Sequence, residues 1–227
     1  MNENLIIISV GGSLIVPKEI DLDFLKSLKK VVLDYPAKGK KFVIICGGGQ
    51  TARVYQKAAR SLSELNSKNL DWLGIEATRI NAHLLRAIFY EWAHPDIIKN
   101  PLNKIDFKER ILLAAGWKPG FSTDYDAVML AKNLKIKKLI NLTNIDYVYD
   151  KDPKKFKDAQ PIKKISWENF RKPLPAKWDP GLNAPFDPVA SKEAQKLGLE
   201  VTIINGKNLK SLENYLEEKD FIGTKIT

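Results

Sequence analysis

Two short strings carry most of the chemical content of this 227-residue sequence. Gly11-Gly12-Ser13 follows the apolar run Leu5–Val10, and Gly47-Gly48-Gly49 follows the apolar run 42–46. Both runs are strand-sized and rich in β-branched residues, and each glycine string leads into a helical pattern. A strand that ends in glycine and feeds a helix turns backbone N–H groups toward a ligand at the positive end of the helix dipole, an arrangement that suits phosphate. Glycine is needed because a Cβ would block close approach. Two such loops point to two phosphate groups, or to one polyphosphate and one acceptor; tight strand-to-helix turns without a ligand would use the same strings. The chain has neither the Gly-Lys-Ser/Thr ending of a P-loop nor the spaced dinucleotide fingerprint. His83 and His94 lack metal-ligand spacing and Cys46 sits in an apolar strand, so all three read as structural.

The elements that would position these loops alternate between strand and helix. Helical spacing runs through Leu22, Leu25, Leu28 and Val32, and again through Ala52, Tyr55, Ala58 and Ala59. A helix is predicted over 73–92, ended by His94-Pro95, then a strand over 110–115 and the loop 116–120. Helix 124–134, strand 138–142, loop 143–153, helix 191–197 and strand 200–204 complete the order. This order predicts a single domain over 1–227: a three-layer α/β/α sandwich with a mostly parallel central sheet. Five prolines between Lys172 and Pro188 make that stretch an ordered loop or a flap over the site.

Composition narrows the class of protein. Apolar residues make up 44% of the chain and charged residues 28%, and no apolar run approaches the roughly 20 residues of a membrane-spanning helix. Without a secretory pattern at the amino terminus and with a single cysteine, the expected location is the cytoplasm. The net charge of +10 favours anionic partners in general. Its lysines are spread as pairs such as Lys137-Lys138 and Lys163-Lys164, which reads as a solvated surface and not as a nucleic-acid footprint.

Val10-Gly11-Gly12-Ser13 together with Gly47-Gly48-Gly49-Gln50-Thr51-Ala52-Arg53 resembles the first two loops of the amino acid kinase family, and Arg53 resembles that of its UMP kinase branch. The likeness continues through residues 71–82 and through Pro119-Gly120-Phe121-Ser122-Thr123-Asp124. It extends to 143–149 with Asp152-Pro153, to Asp187-Pro188, and to Gly223-Thr224, so six segments match in order along the whole chain. The resemblance implies transfer of the γ-phosphoryl group of ATP to UMP, with Mg²⁺ carried mainly by the ATP. It implies residues 1–115 as the acceptor half and 116–227 as the ATP half, in a homo-oligomer, commonly a hexamer.

On that resemblance, Gly11, Gly12, Ser13 and Gly48 would contact phosphates at the reacting centre. Gly49, Gly74 and Asn81 would line the acceptor, Arg53 would grip its phosphate, and Asp71 would accept from the ribose hydroxyls. Ser122, Thr123 and Asp124 would orient the acceptor phosphate and the transferring group. Thr143, Asn144, Asp146, Tyr149 and Asp152 would surround the ATP base and ribose, and Asp187 would sit near the phosphates and the metal. Ordinary roles compete at several of these positions: a surface ion pair for Arg53, a helix cap for Asp71 or for Ser122 to Asp124, a solvent-facing amide for Asn81, and a plain turn for Asp152-Pro153.

The sequence departs from the family where many members carry a lysine two residues before the first glycine. Serine stands there at position 9, which leaves that charge to Lys118 or Lys192 from another loop, or to Arg53, the backbone amides and Mg²⁺. Tyr147 replaces the usual glycine after Asp146. Two alternatives therefore remain: a kinase of the same fold acting on another small phosphate or carboxylate, and a non-catalytic nucleotide-binding protein.

Overall fold

The computed structural model describes residues 4–35, 39–153, 155–175 and 184–227. Strand β1 (Leu5–Val10) lies at the middle of an eight-stranded sheet. It pairs in parallel with β2 (Lys41–Cys46) on one side and with β5 (Lys138–Thr143) on the other. Beyond β2 come β4 (Ile111–Ala114) and the edge strand β3 (Ala93–Ile98), both parallel. Beyond β5 come β9 (Glu200–Asn205), parallel, then β10 (Thr224–Ile226), antiparallel to β9, and last β8 (Lys164–Ile165). A separate antiparallel pair joins β6 (Val148–Tyr149) to β7 (Pro161–Ile162). Strands buried on both faces need apolar residues at every position, and β2 reads KFVIIC for that reason.

Two helical layers cover the sheet. On one face, α1 (Gly12–Ile15), α2 (Leu22–Asp34), α4 (Ser67–Ile88) and α8 (Leu209–Leu216) pack against Ile8, Val10, Phe42, Ile44 and Leu142. On the other, α5 (Thr123–Asn133), α6 (Trp167–Arg171) and α7 (Pro188–Leu197) pack against Ile7, Val43, Ile45, Leu112 and Val201. Helix α3 (Gly49–Leu62) buries only Ala52 fully and lies outside, against α4. The three-layer α/β/α expectation is met.

Several elements differ from the sequence expectation. The helix expected over 73–92 begins earlier, at Ser67 behind an Asn66 cap, and stops at Ile88. His94 and Pro95 then fall inside strand β3, which the sequence did not suggest. Proline is tolerated there because β3 is an edge strand with one unpaired side. Helix α7 starts at Pro188, three residues before the expected 191, with Asp187 accepting from Ala190 N at 2.6 Å and proline at its first position. Asp71 lies inside α4 and caps no helix. The middle of the Pro-rich stretch, including Trp178, lies outside the described residues.

Candidate active site

All the parallel strands end at one edge of the sheet, and the loops after β1, β2, β4, β5 and β9 meet there, which is where open α/β sheets place ligands. The two glycine loops are in direct contact. A Cβ on Gly12 would lie 2.0 Å from Gly49 N and 2.6 Å from Gly48 N, and one on Gly47 would lie 2.5 Å from Gly12 N. Gly49 has φ +62, a left-handed conformation that glycine adopts without strain, and a Cβ there would strike Gly12 O at 2.1 Å. Hydrogen bonds complete the clamp, from Gly47 N to Val10 O at 2.9 Å and from Gln50 N to Val16 O at 2.8 Å. The N–H groups of Gly12, Ser13 and Gly48 have no backbone acceptor among the described residues.

Asn81 lies beneath this clamp and is buried. Its side-chain amide donates to Gly47 O at 2.8 Å and to Gly48 O at 3.2 Å, so α4 fixes the path of the second loop. Gly74, two turns earlier on the same face of α4, lies against Gln56 of α3, and its carbonyl approaches Gly48. Arg53 projects exposed from the second turn of α3 with its Nε on Gln50 Oε1 at 2.9 Å. It forms no ion pair with a carboxylate among the described residues. Asp71 accepts from Gly120 N at 2.8 Å, which ties α4 to the loop after β4.

That loop is held from below by Thr78, whose place in the matched stretch 71–82 the resemblance sets beside the acceptor, and by Arg79 and Asp126, which the sequence reading did not single out. Thr78 Oγ1 accepts from Gly116 N at 2.8 Å and donates to Ile75 O at 2.6 Å. Arg79 donates to Trp117 O at 3.4 Å, and Asp126 accepts from Trp117 N at 2.9 Å. Lys118 Nζ lies over the Trp117 ring, 4.0 Å from its centroid, and 5.3 Å from that of Phe121. Thr78 and Arg79 stand in the matched stretch 71–82, and Asp126 two residues past Asp124, but nothing in their types shows which way they face.

The loop feeds α5, capped by Ser122 Oγ, which accepts from Tyr125 N at 3.1 Å. Asp124 then faces β1, α7 and a second acid. Ser9 Oγ donates to Asp124 Oδ1 at 3.4 Å, and Asp187 N donates to Asp124 Oδ2 at 3.1 Å. Burial of its carboxyl group, reinforced by the nearby Asp187 charge, pushes Asp124 up to about 7. Burial also pushes Asp126 to about 7 and raises Asp187. Among the described residues, Asp126 Oδ1 and Asp187 Oδ2 have no hydrogen-bond partner. Three carboxylates thus crowd the junction of α5 and α7, with the Ser9 hydroxyl against one of them. Lys192 is exposed on α7 and Lys118 is stacked on rings.

Across β1 the remaining loops close the edge. Gly11 N donates to Leu142 O at 2.8 Å and Gly206 N donates to Thr143 O at 2.7 Å, joining the ends of β1, β5 and β9. Asp146 accepts from Asn205 Nδ2 at 2.8 Å, and Asn144 is exposed beside it. Tyr149 pairs with Pro161 in the small sheet, with Tyr147 edge-on at 6.4 Å. Thr224 Oγ1 accepts from Val148 N at 2.9 Å, so the carboxyl-terminal strand braces this lobe. Asp152 heads a turn whose carbonyl accepts from Phe156 N at 2.9 Å, and no contact described above ties it to the glycine loops.

The amino acid kinase family profile matches residues 4–205, most of the chain. The chain belongs to the amino acid kinase family. Among curated relatives, the uridylate kinase of Thermoplasma volcanium is 36% identical across all of this chain and 98% of its own length. That of Methanobrevibacter smithii is 31% identical over 97% and 98%. The crystal structure of uridylate kinase from Archaeoglobus fulgidus superposes with a TM-score of 0.81 at 26% identity, covering 98% of this chain and 99% of that one. UMP kinase from Bacillus anthracis, at 18% identity and TM-score 0.79, shares the fold. As a member of this kinase family the chain is a phosphotransferase.

Proposed function

We propose that the protein transfers the γ-phosphoryl group of ATP to UMP, giving UDP and ADP. The observation that carries the reading is the interlocked pair of glycine loops beside Arg53, which forms no ion pair among the described residues, in a chain whose relatives are named uridylate kinases. Phosphoryl transfer asks for alignment and positive potential more than for covalent work. The N–H groups of Gly12, Ser13 and Gly48 and the amino ends of α3, α5 and α7 supply that potential without a lysine at position 9. In this reading Gly11, Gly12, Ser13 and Gly48 cradle the transferring phosphate, Arg53 holds the acceptor phosphate in a two-pronged contact, and Thr123 and Asp124 orient the pair. Residues 1–115 then form the acceptor half and 116–227 the ATP half, with Asp71 and Gly74 toward UMP and Asn144, Asp146 and Tyr149 toward the nucleoside of ATP. Asn81 acts through the loop it holds.

Magnesium fits this donor set. No group of three or more metal-binding side chains forms a cage among the described residues, and the open Asp187 Oδ2 is a hard oxygen ligand of the kind magnesium takes once or twice while keeping phosphate and water. Bound with ATP, the ion would neutralise charge on the phosphates, and Asp187 with Asp124 would hold it.

Assembly into a homo-oligomer, commonly a hexamer in the family, is favoured by Val54, Tyr55 and Leu62 on α3 and Trp72 and Ile80 on α4, all large apolar side chains left exposed. A coupled assay for ADP across UMP, CMP, AMP, GMP and small carboxylates tests the activity, with UMP expected to be the preferred acceptor. Preference for another acceptor would move the reading to a sibling kinase, and nucleotide binding without turnover would leave a binding protein. Sedimentation velocity tests the assembly.

A further inference from the structure

A large cavity lies away from the glycine loops. It is lined by Leu5 and Ile6 at the start of β1, by Lys138 at the start of β5, and by the segment that follows α8. The first glycine loop follows the opposite end of β1 and the second the opposite end of the neighbouring β2, about 20 Å away for a six-residue strand. The cavity measures about 1130 Å³, ample for a small organic ligand.

Its lining is strongly one-signed, with seven lysines against two carboxylates, Glu218 and Asp220. Lysines that are far apart in sequence, and that read there as scattered surface charge, are brought together by the sheet order. Some are engaged: Lys137 donates to Leu197 O at 2.7 Å, Lys219 pairs with Glu217 at 2.7 Å, and Lys225 lies over Tyr215 and Phe221. Lys135, Lys138 and Lys163 have no partner among the described residues. Like charges around one concavity repel each other in the empty protein and focus an attractive potential on an anion.

The backbone gives a second, independent indication. Among the described residues only two other than glycine have positive φ, Lys135 at 57 and Glu218 at 58, and both line this cavity. Each follows the last turn of a helix, where glycine or asparagine would adopt the left-handed form at less cost. Strained positions that converge on one hollow are a mark of a functional site.

We propose that this cavity binds a soluble, multiply charged phosphate compound, its phosphates held by Lys135, Lys138 and Lys163 and any planar portion placed beside Tyr215 and Phe221. Ammonium groups on flexible stems match several phosphate oxygens without demanding one geometry. The charges surround a pocket and do not run in the extended stripe that a nucleic acid would track.

Titration calorimetry with inorganic tripolyphosphate, on the full chain in magnesium-free buffer, tests the site. The parent should bind with an affinity that falls as salt is added, and Lys135→Ala/Lys138→Ala/Lys163→Ala should weaken that binding by about tenfold or more. Arg53→Ala, at the opposite edge, should keep it. Tripolyphosphate should also raise the melting temperature of the parent more than that of the triple variant. Equal binding by parent and triple variant overturns the proposal. So does binding lost in Arg53→Ala, which would place the anion at the glycine loops. Tighter binding of a single-stranded oligonucleotide that the triple variant loses would assign the face to nucleic acid and overturn it as well. If the triple variant does not fold, Lys138→Ala and Lys163→Ala made singly decide the matter, each expected to weaken binding about threefold, with no change counting against the site.

Discussion

Ser9 and Asp124 define the electrostatics of the reacting edge. With a hydroxyl and not an ammonium at position 9, burial and the Asp187 charge hold Asp124 at about 7, inside the working pH range. Ser9→Lys would set a cation against that carboxylate and favour its charged form, moving the corresponding inflection in the pH–kcat profile down by at least about one unit. An inflection that stays in place would mean that the two side chains do not face each other in the working enzyme. Arg53 makes a different prediction because no carboxylate among the described residues neutralises it. Arg53→Ala should raise KM for UMP by about tenfold or more while KM for ATP changes less than about twofold. Equal effects on both substrates would remove Arg53 from the acceptor phosphate. Neither the exposure of Arg53 nor the partner of Ser9 is written in the residue types, since both depend on which helix crosses which strand.

At the scale of elements, the two glycine loops behave as one part. Gly12 is bounded by backbone atoms of Gly47, Gly48 and Gly49, which cannot rotate away as a side chain would. Gly12→Ala should therefore destabilise the fold by more than about 3 kcal/mol in urea unfolding, a cost in the range reserved for steric conflict in a core. Asn81→Ala, which leaves the Gly47 and Gly48 carbonyls without their donor, should cost about 1–3 kcal/mol. It should also lower kcat more than it raises either KM, because the loop is displaced and no substrate contact is lost. A parent-like Gly12→Ala would show that the loops separate readily. Both loops and the strands that carry them were legible in sequence because buried parallel strands and glycine punctuation leave local signals. Strand β3 was not, since Pro95 reads as a helix stop and an edge strand has few partners to impose a pattern. Strands β8 and β10 are two and three residues long and exist only through pairing with distant segments. Asn81 could be placed on a helix from its spacing, but whether its amide meets a ligand or a loop carbonyl depends on packing between α4 and β2.

The carboxylates at the α5–α7 junction make the stability of the whole molecule depend on pH. Burial holds Asp124 and Asp126 at about 7 and raises Asp187, against an ordinary value of 3.8. Between those limits the folded chain keeps protons that the unfolded chain has released. Stability therefore falls as pH rises from about 4 to about 7 and levels off above that. A second effect runs the other way, because the chain already carries +10 and gains positive charge on acidification. Comparing the parent with one neutral variant separates the two, since the surface charge is common to both. Asp126 is the residue to change: it is buried, one oxygen accepts from Trp117 N, and the other has no partner among the described residues. In Asp126→Asn the amide oxygen can still accept from Trp117 N, while no charge has to be buried at high pH. The variant should gain on the parent steadily between pH 4 and 7, reaching an advantage of about 1–3 kcal/mol at pH 8. Urea unfolding across that range measures the gap, and added salt should change both curves while leaving their difference in place. A gap that is flat from pH 4 to 8 would mean that Asp126 is ionised in the folded protein throughout, and the cluster would then have to be charged and held by a cation.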